Sequence, residues 1–278
     1  MTDDLRTLHL GTATLTIINI GDVHEDLNTW FDPPAAERAR HAELFAQPVR
    51  LPIQCIHITL PGASILVDAG LYEYPPDAPQ LIAGYTPALD LFAGLAASNV
   101  QPEQIDCVII THAHGDHFNA LTELQAGHCK PCFPNARHYL GRADWEAAQT
   151  ALQNPESLES RTFGVLHAQG LLHLVDEPLD LGHGVQIIPA PGESPGHQIV
   201  RLQADGQTLY CIGDLYHLPV EVEEPGWTVR WTDGAANGRS RQAFNEQALT
   251  EDARLIATHI ADIGRLQRTA AGYAWVAA

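Results

Sequence analysis

Residues Asp106–Thr111 (DCVIIT) form a short apolar run that passes directly into His112-Ala113-His114-Gly115-Asp116-His117. A continuous apolar run of this length reads as a strand buried on both faces, and such strands occur inside layered α/β folds. The run then delivers four side chains of metal-ligand type within six residues. Imidazole and carboxylate are ligands that zinc prefers, and loops after buried strands are where α/β proteins place their sites. His112 and His114 stand two apart, so a turn can aim both at one ion. Asp116 and His117 then face the other way, toward a second. The competing reading, a polar surface loop with chance histidines, accounts for neither the density nor the position.

The flanking sequence supplies the rest of such a fold. Residues 7–20 alternate loosely and predict a hairpin turning at Gly11. Strands are predicted at 53–59, 64–67, 136–140, 171–175, 185–189, 198–203, 208–212 and 254–258, and helices at 87–98, 142–152 and 241–250. Strands come in two batches, each followed by helices. The pattern predicts a single α/β domain over 1–278, with two β-sheets packed face to face and helices on the outer faces. Three stretches rich in Pro, Gly or aromatics, near 25–52, 71–87 and 215–239, read as loop insertions of the kind that form lids or binding loops.

Isolated ligand-type residues recur at the predicted strand ends: Gly196-His197 precedes a strand, Gly213-Asp214 follows one, and His259 ends the last. Each alone reads as a turn or cap. Together they form a series of strand ends bearing ligands.

Composition excludes several other classes. Fifteen Lys+Arg against 34 Asp+Glu give a formal charge of −19, which argues against nucleic acid and against anionic membranes. No apolar run approaches the ~20 residues of a membrane span. The acidic start Met1-Thr2-Asp3-Asp4 is unlike a signal peptide, and five scattered cysteines fit a reducing cytoplasm better than a disulfide framework. Lys130 is the only lysine, so Schiff-base chemistry is excluded anywhere else. The expected partner is a small-molecule substrate.

On these motifs the chain resembles the metallo-β-lactamase superfamily. Its HxHxDH motif stands here as His112, His114, Asp116 and His117; its later motifs match Gly196-His197, Gly213-Asp214 and His259; its early Asp-Gly turn is present, modified, as Asp68-Ala69-Gly70. The resemblance covers nearly the whole chain and implies an αββα sandwich with two metal ions in a cleft at the sheet edges. It implies that His112, His114 and His197 hold the first ion, that Asp116, His117 and His259 hold the second, and that Asp214 bridges both. Asp68 would orient a ligand histidine. Seven ligands exceed what one tetrahedral zinc uses, whereas two ions with a bridging carboxylate use them all. Zinc is the expected metal, with iron or manganese compatible with the same ligands. Asp116 would also hold the attacking hydroxide and pass its proton on.

Within that family, Asp214 speaks against the zinc β-lactamases, which have a Cys at this strand end; Cys211 lies three residues earlier and reads as a core residue. His114 speaks against the flavin-linked di-iron branch. The segment His259–Leu266 looks like the branch of quorum-signal lactonases and organophosphate or aryl-ester hydrolases. The lactonases place a Tyr three residues after the bridging Asp; here that position is His217, with Tyr216 before it. This spacing resembles the phosphotriester-type members. The expected activity is therefore dinuclear hydrolysis of an ester, lactone or phosphotriester, with Asp116, His217 and Tyr216 as candidate catalytic residues. The alternatives on the same fold are a thiolester hydrolase of the glyoxalase II type and a mononuclear iron persulfide dioxygenase.

Other features stay open at this level. Cys129 and Cys132 read as an ordinary loop, or as half a metal or redox pair. Trp227, Trp231 and Tyr216 read equally as pocket lining, as loop packing or as a homodimer contact, and Trp30, Phe31 and Phe45 share the ambiguity. Glu221, Glu223 and Glu224 read as a solvated acidic face.

Overall fold

The structure is a computed structural model that describes residues 4–71, 84–270 and 272–278. Among the described residues, ten strands come first: β1 (Leu5–Leu10), β2 (Ala13–Glu25), β3 (Val49–Leu60), β4 (Ala63–Val67), β5 (Thr86–Pro87), β6 (Cys107–Ile109), β7 (Thr122–Gln125), β8 (His128–Pro131), β9 (Arg137–Gly141) and β10 (Leu172–Val175). Seven more follow: β11 (Leu179–Gly182), β12 (Val185–Pro189), β13 (Gln198–Ala204), β14 (Gln207–Cys211), β15 (Arg254–Ile256), β16 (Gly264–Thr269) and β17 (Gly272–Ala277). The first sheet runs β1-β2-β3-β4-β6-β9-β10, with β5 on β2; the second runs β11 to β17 in order. Both are mixed. β4, β6, β9 and β10 pair in parallel, as do β14 and β15, and the remaining pairs are antiparallel.

Side-chain alternation explains the layers. On β6, Cys107 and Ile109 join the cluster packed between the two sheets, while Val108, and Ile110 just past the strand, face the outer cluster with Leu91, Leu95 and Phe163. This is the doubly buried strand that the apolar run predicts. Val185, Ile187, Val200, Leu202 and Leu209 fill the inter-sheet layer from the second sheet. Tyr210, Ile212 and Leu255 face outward against Phe244 and Ala248 of the helix Gly234–Thr250. Helix, sheet, sheet and helix thus stack as an αββα sandwich, as expected.

Boundaries moved where caps decide them. The helix predicted over 87–98 spans Leu91–Ala97, because the Asp90 carboxylate accepts from the Ala93 N–H at 2.9 Å and starts it there. The helix predicted from 241 begins at Gly234, where Asp233 accepts from the N–H groups of Ala235 and Ala236. Such capping satisfies the free N–H groups of the first turn.

Two of the predicted insertions pack on each other. The segment after β2 holds the short helices Leu27–Trp30 and Ala35–Arg40. It meets the 215–239 segment through Arg230 N–H to Trp30 O (3.0 Å), Trp227 Nε1 to Glu37 (2.8 Å) and His41 to Glu224 (3.0 Å). Of the third insertion, residues 72–83 lie outside the described residues. No helix among the described residues is long and apolar enough to cross a membrane.

Candidate metal centre

Every ligand-type residue singled out in the sequence lies past the end of a strand. Asp68 follows β4, His112–His117 follow β6, Asp214 follows β14 and His259 follows β15. His197 sits in the connection between β12 and β13. The two sheets bring these ends together; Asp68, His112, His117, His197, Asp214 and His259 are buried, whereas Asp116 is partly and His114 more fully open to solvent.

One oxygen organises the cluster. Asp214 Oδ2 lies 3.1 Å from His259 Nε2, 3.3 Å from His117 Nε2, 3.4 Å from His217 Nε2 and 3.7 Å from His112 Nε2. On one side of it, His112, His114, Glu193 and Asp214 place one donor atom each within 4.8 Å of one another. On the other, Asp116, His117 and His259 do the same. His197 stands beside the first group. Its ring centroid is 5.3 Å from that of His112, its Nε2 accepts from the Asp214 N–H at 3.2 Å, and its Nδ1 faces Ala190 O at 3.1 Å. Gly213 permits this approach. It has φ +52°, and a Cβ there would lie 2.7 Å from Thr111 Oγ1 and 3.0 Å from His197 Nε2.

These residues fit a metal pair on their own geometry. Nitrogen and oxygen ligands about 2.0–2.2 Å from one ion stand about 2.9–3.4 Å apart at right to tetrahedral angles. His112 Nε2 and His114 Nδ1 are 2.9 Å apart, and Glu193 stands 3.2 Å from each through one oxygen apiece. In the second group, Asp116 Oδ2 is 3.4 Å from His259 Nε2 and 3.6 Å from His117 Nε2. Among the described residues, His117 Nε2, Asp214 Oδ1 and Glu193 Oε2 are buried polar atoms without a hydrogen bond. Buried polar atoms rarely go unsatisfied, and all three belong to residues of the same cluster.

The supporting contacts fix the rings. Asp68, at φ +59°, accepts from Thr111 N–H at 2.7 Å and Thr111 Oγ1 at 2.9 Å, and its Oδ2 faces His117 Nδ1 at 2.9 Å. His117 therefore turns Nε2 to the cluster. His259 Nδ1 faces Pro52 O at 2.8 Å, which aims its Nε2 likewise. Such contacts select the tautomer of a ligand histidine. Asp144, buried, accepts from Ala113 N–H (2.9 Å), Ser194 Oγ (2.8 Å) and Gly196 N–H (2.6 Å).

The electrostatics suit cations. Burial drives His112 well below the ordinary imidazole range, reinforced by His117 and His114. Burial also lowers His197, whose Nε2 already accepts from the Asp214 N–H. For His117, burial works downward, but Asp214, Asp116 and Asp68 outweigh it and hold it well above the range. Burial would raise Asp214, yet His259, His117 and His217 hold it well below the carboxylate range. Glu193 is lowered too, its burial outweighed by His114.

Beyond the cluster, the structure separates the two adjacent candidates of the catalytic reading. His217 faces inward, its ring 5.8 Å from and nearly parallel to that of His259. Burial lowers it, but Asp214 and then Glu221 raise it to about 10. Tyr216, by contrast, packs in the cluster under the last long helix. Its hydroxyl donates to Asn245 Oδ1 at 3.0 Å and Arg241 lies over its ring. Of these two neighbours in the bend after β14, the one turned to the cluster is His217.

Packing corrects one further reading and decides another. Glu221 is fully buried and not part of a solvated face. Its Oε2 accepts from the N–H groups of His217 (2.6 Å) and Leu218 (2.8 Å), and its Oε1 pairs with Arg241. Arg241 in turn holds Leu215 O and Trp227 O. Trp227 packs among Phe31, Phe45 and His41, which settles its role as loop packing. Trp231 is different. It is 49% exposed, packs edge-on against Trp30, and donates from Nε1 to Glu193 at 3.0 Å. Trp30 packs edge-on against His217. Trp30 and Trp231 thus form an aromatic rim over the cluster. Cys129 and Cys132, free thiols, sit on and beside the β7–β8 hairpin.

Comparison with known proteins accords with this geometry. An N-acyl homoserine lactonase of Bacillus cereus is 25% identical over 180 residues, a match that covers 60% of this chain and 66% of that protein's length. Among solved structures, the hydrolase AbOPH of the beta-lactamase superfamily superposes with a TM-score of 0.80 at 19% identity, covering 100% of this chain and 98% of its own. AidC, a dizinc quorum-quenching lactonase, gives 0.79 at 21% identity over 99% and 97%. At these identities the structural likeness speaks for the fold. Residues 49–214 match the model of the Metallo-beta-lactamase superfamily, and the chain belongs to that superfamily.

Proposed function

We propose that this protein is a dinuclear metal-dependent hydrolase that cleaves an ester, lactone or phosphotriester of a small molecule. The observation that carries the reading is the Asp214 carboxylate, one oxygen of which meets four imidazole Nε2 atoms between two adjoining donor groups. His112, His114 and Asp214, with His197 beside them, would hold one ion; Asp116, His117, His259 and Asp214 would hold the other. When bound, two divalent ions polarise a scissile carbonyl or phosphoryl oxygen and render water nucleophilic at neutral pH.

The chain's own residues supply the rest. Asp116 is the most open carboxylate of the cluster, with 15% of its side chain exposed, and is placed to take the proton of attacking water. His217 presents Nε2 to the cluster while its backbone is pinned by Glu221, so it can donate a proton to the leaving group. Trp30 and Trp231 give the entrance two flat apolar faces, suited to an aryl or acyl group. Zinc is the default metal and a cytoplasmic location the default compartment under this reading. The lactonase relative and the dizinc lactonase fold support it, as does His217 at the position three residues after Asp214.

A hydrolysis panel of lactones, aryl esters, thiolesters and phosphotriesters, run on protein of measured metal content, tests the proposal. Turnover of an oxygen ester, lactone or phosphotriester that requires two ions per chain is expected. Turnover confined to thiolesters, or one iron per chain with oxygen-dependent activity, would overturn it.

A further inference from the structure

The donor group around His112 and His114 contains a side chain that the sequence motifs do not mark. Glu193 lies in Pro191-Gly192-Glu193-Ser194-Pro195-Gly196, a stretch that reads as an ordinary turn. Its side chain is nonetheless fully buried. Oε2 is 3.2 Å from His112 Nε2, and Oε1 is 3.2 Å from His114 Nδ1. Those are the same two nitrogens that face each other at 2.9 Å. Oε1 also accepts from Trp231 Nε1 at 3.0 Å, whereas Oε2 is buried and has no hydrogen bond among the described residues.

The turn is held rigidly in this pose. Gly192 has φ +139°, and a Cβ there would lie 2.1 Å from Asn237 N, so only glycine lets the loop press against the start of the long helix. The Asp233 N–H donates to Gly192 O at 2.9 Å. Asp144 clamps the other end through Ser194 and Gly196. A buried carboxylate costs free energy unless something compensates it. Here its free oxygen points at a ligand nitrogen, with spacings that match ligands sharing one ion.

Resting on the two-ion reading above, we infer that Glu193 is a carboxylate ligand of the ion held by His112 and His114, which makes that position richer in anionic oxygen than the histidine motifs alone provide. A second carboxylate beside Asp214 favours a harder ion such as Mn2+ relative to a set with fewer oxygen ligands. The first position should therefore tolerate Mn2+ well.

The test uses the intact chain and its Glu193→Gln variant, stripped of metal and titrated separately with Zn2+ and Mn2+ against a chromogenic chelator. The expected result is a loss of affinity for one of two ions by roughly 10–100-fold or more, since lesser perturbations around metal ligands already cost that much. The loss should be larger for Mn2+ than for Zn2+. Two ions held by Glu193→Gln with wild-type affinities would overturn the inference while leaving the two-ion reading intact. A wild-type chain that binds no metal overturns both. Should Glu193→Gln fail to fold, a crystal structure of the Zn2+-loaded wild-type chain decides. A Glu193 oxygen within about 2.2 Å of an ion supports the inference, and one beyond about 3 Å overturns it.

Discussion

The carboxylate of Asp144 accepts the Ala113 N–H at 2.9 Å, and the same carboxylate accepts from Ser194 and Gly196 on a loop eighty residues further along the chain. One buried side chain thereby sets the distance between the His112–His114 turn and the turn that carries Glu193 and His197. Asp144→Ala should separate the two turns. Loss of hydrogen bonds to a buried charged acceptor predicts a stability decrease on the order of 3 kcal/mol, together with weaker binding of one ion. Asp144→Asn, which keeps one acceptor oxygen, should recover part of both. Chemical denaturation and chelator competition measure the two effects; an unchanged metal affinity in Asp144→Ala would show that the turns hold their spacing without it.

The Glu221–Arg241 pair anchors the other side of the site. Arg241→Met leaves the Glu221 carboxylate buried and uncompensated and frees the carbonyls of Leu215 and Trp227. Removing one partner of a buried ion pair costs about 3–5 kcal/mol. The variant should also lose turnover, because Glu221 pins the backbone of His217. Wild-type stability in Arg241→Met would remove this anchor from the account.

His217→Phe separates substrate chemistry from metal binding. The ring lies 3.4 Å from Asp214 Oδ2 and is backed by Glu221. The expected outcome is a fall in kcat of about 10²–10⁴-fold, the range of a lost general acid, with two ions retained per chain. Kinetics that match the wild type would leave His217 a packing residue only.

A pH dependence follows from a histidine away from the site. Burial lowers His138, on β9, from the usual imidazole range to about 4. The folded chain therefore keeps this ring neutral while the unfolded chain protonates it near pH 6.5. Its contribution is intact above about pH 6.5 and is lost as pH falls toward 4, by up to about 3 kcal/mol. His138→Leu should flatten that part of the decline in metal-free protein. Urea denaturation at pH 7 and pH 5 measures it, and an identical decline in wild type and variant would contradict the assignment.

The layered fold and the strand-end histidines were legible because both rest on local patterns. Cys107–Ile110 is apolar on both faces, and His112 to His117 fall within six consecutive residues. What was not legible depends on contacts between distant segments. Glu193 reads as a turn residue until Gly192 is seen pressed against Asn237. Glu221 reads as solvated because its partner Arg241 is twenty residues away. Tyr216 and His217 are neighbours, and nothing local fixes which of them faces inward; the packing of Tyr216 under the helix Gly234–Thr250 decides it. The aromatic insertions divide for the same reason, Trp227 into packing and Trp231 into the rim.

A pair of ions joined by Asp214 can be counted by mass spectrometry of the metal content of wild type and Asp214→Ala. Two divalent ions per wild-type chain are expected, with at most one per Asp214→Ala chain and no hydrolysis by the variant. A wild-type chain with a single ion, or an Asp214→Ala chain that still hydrolyses with one ion bound, would contradict the joined pair.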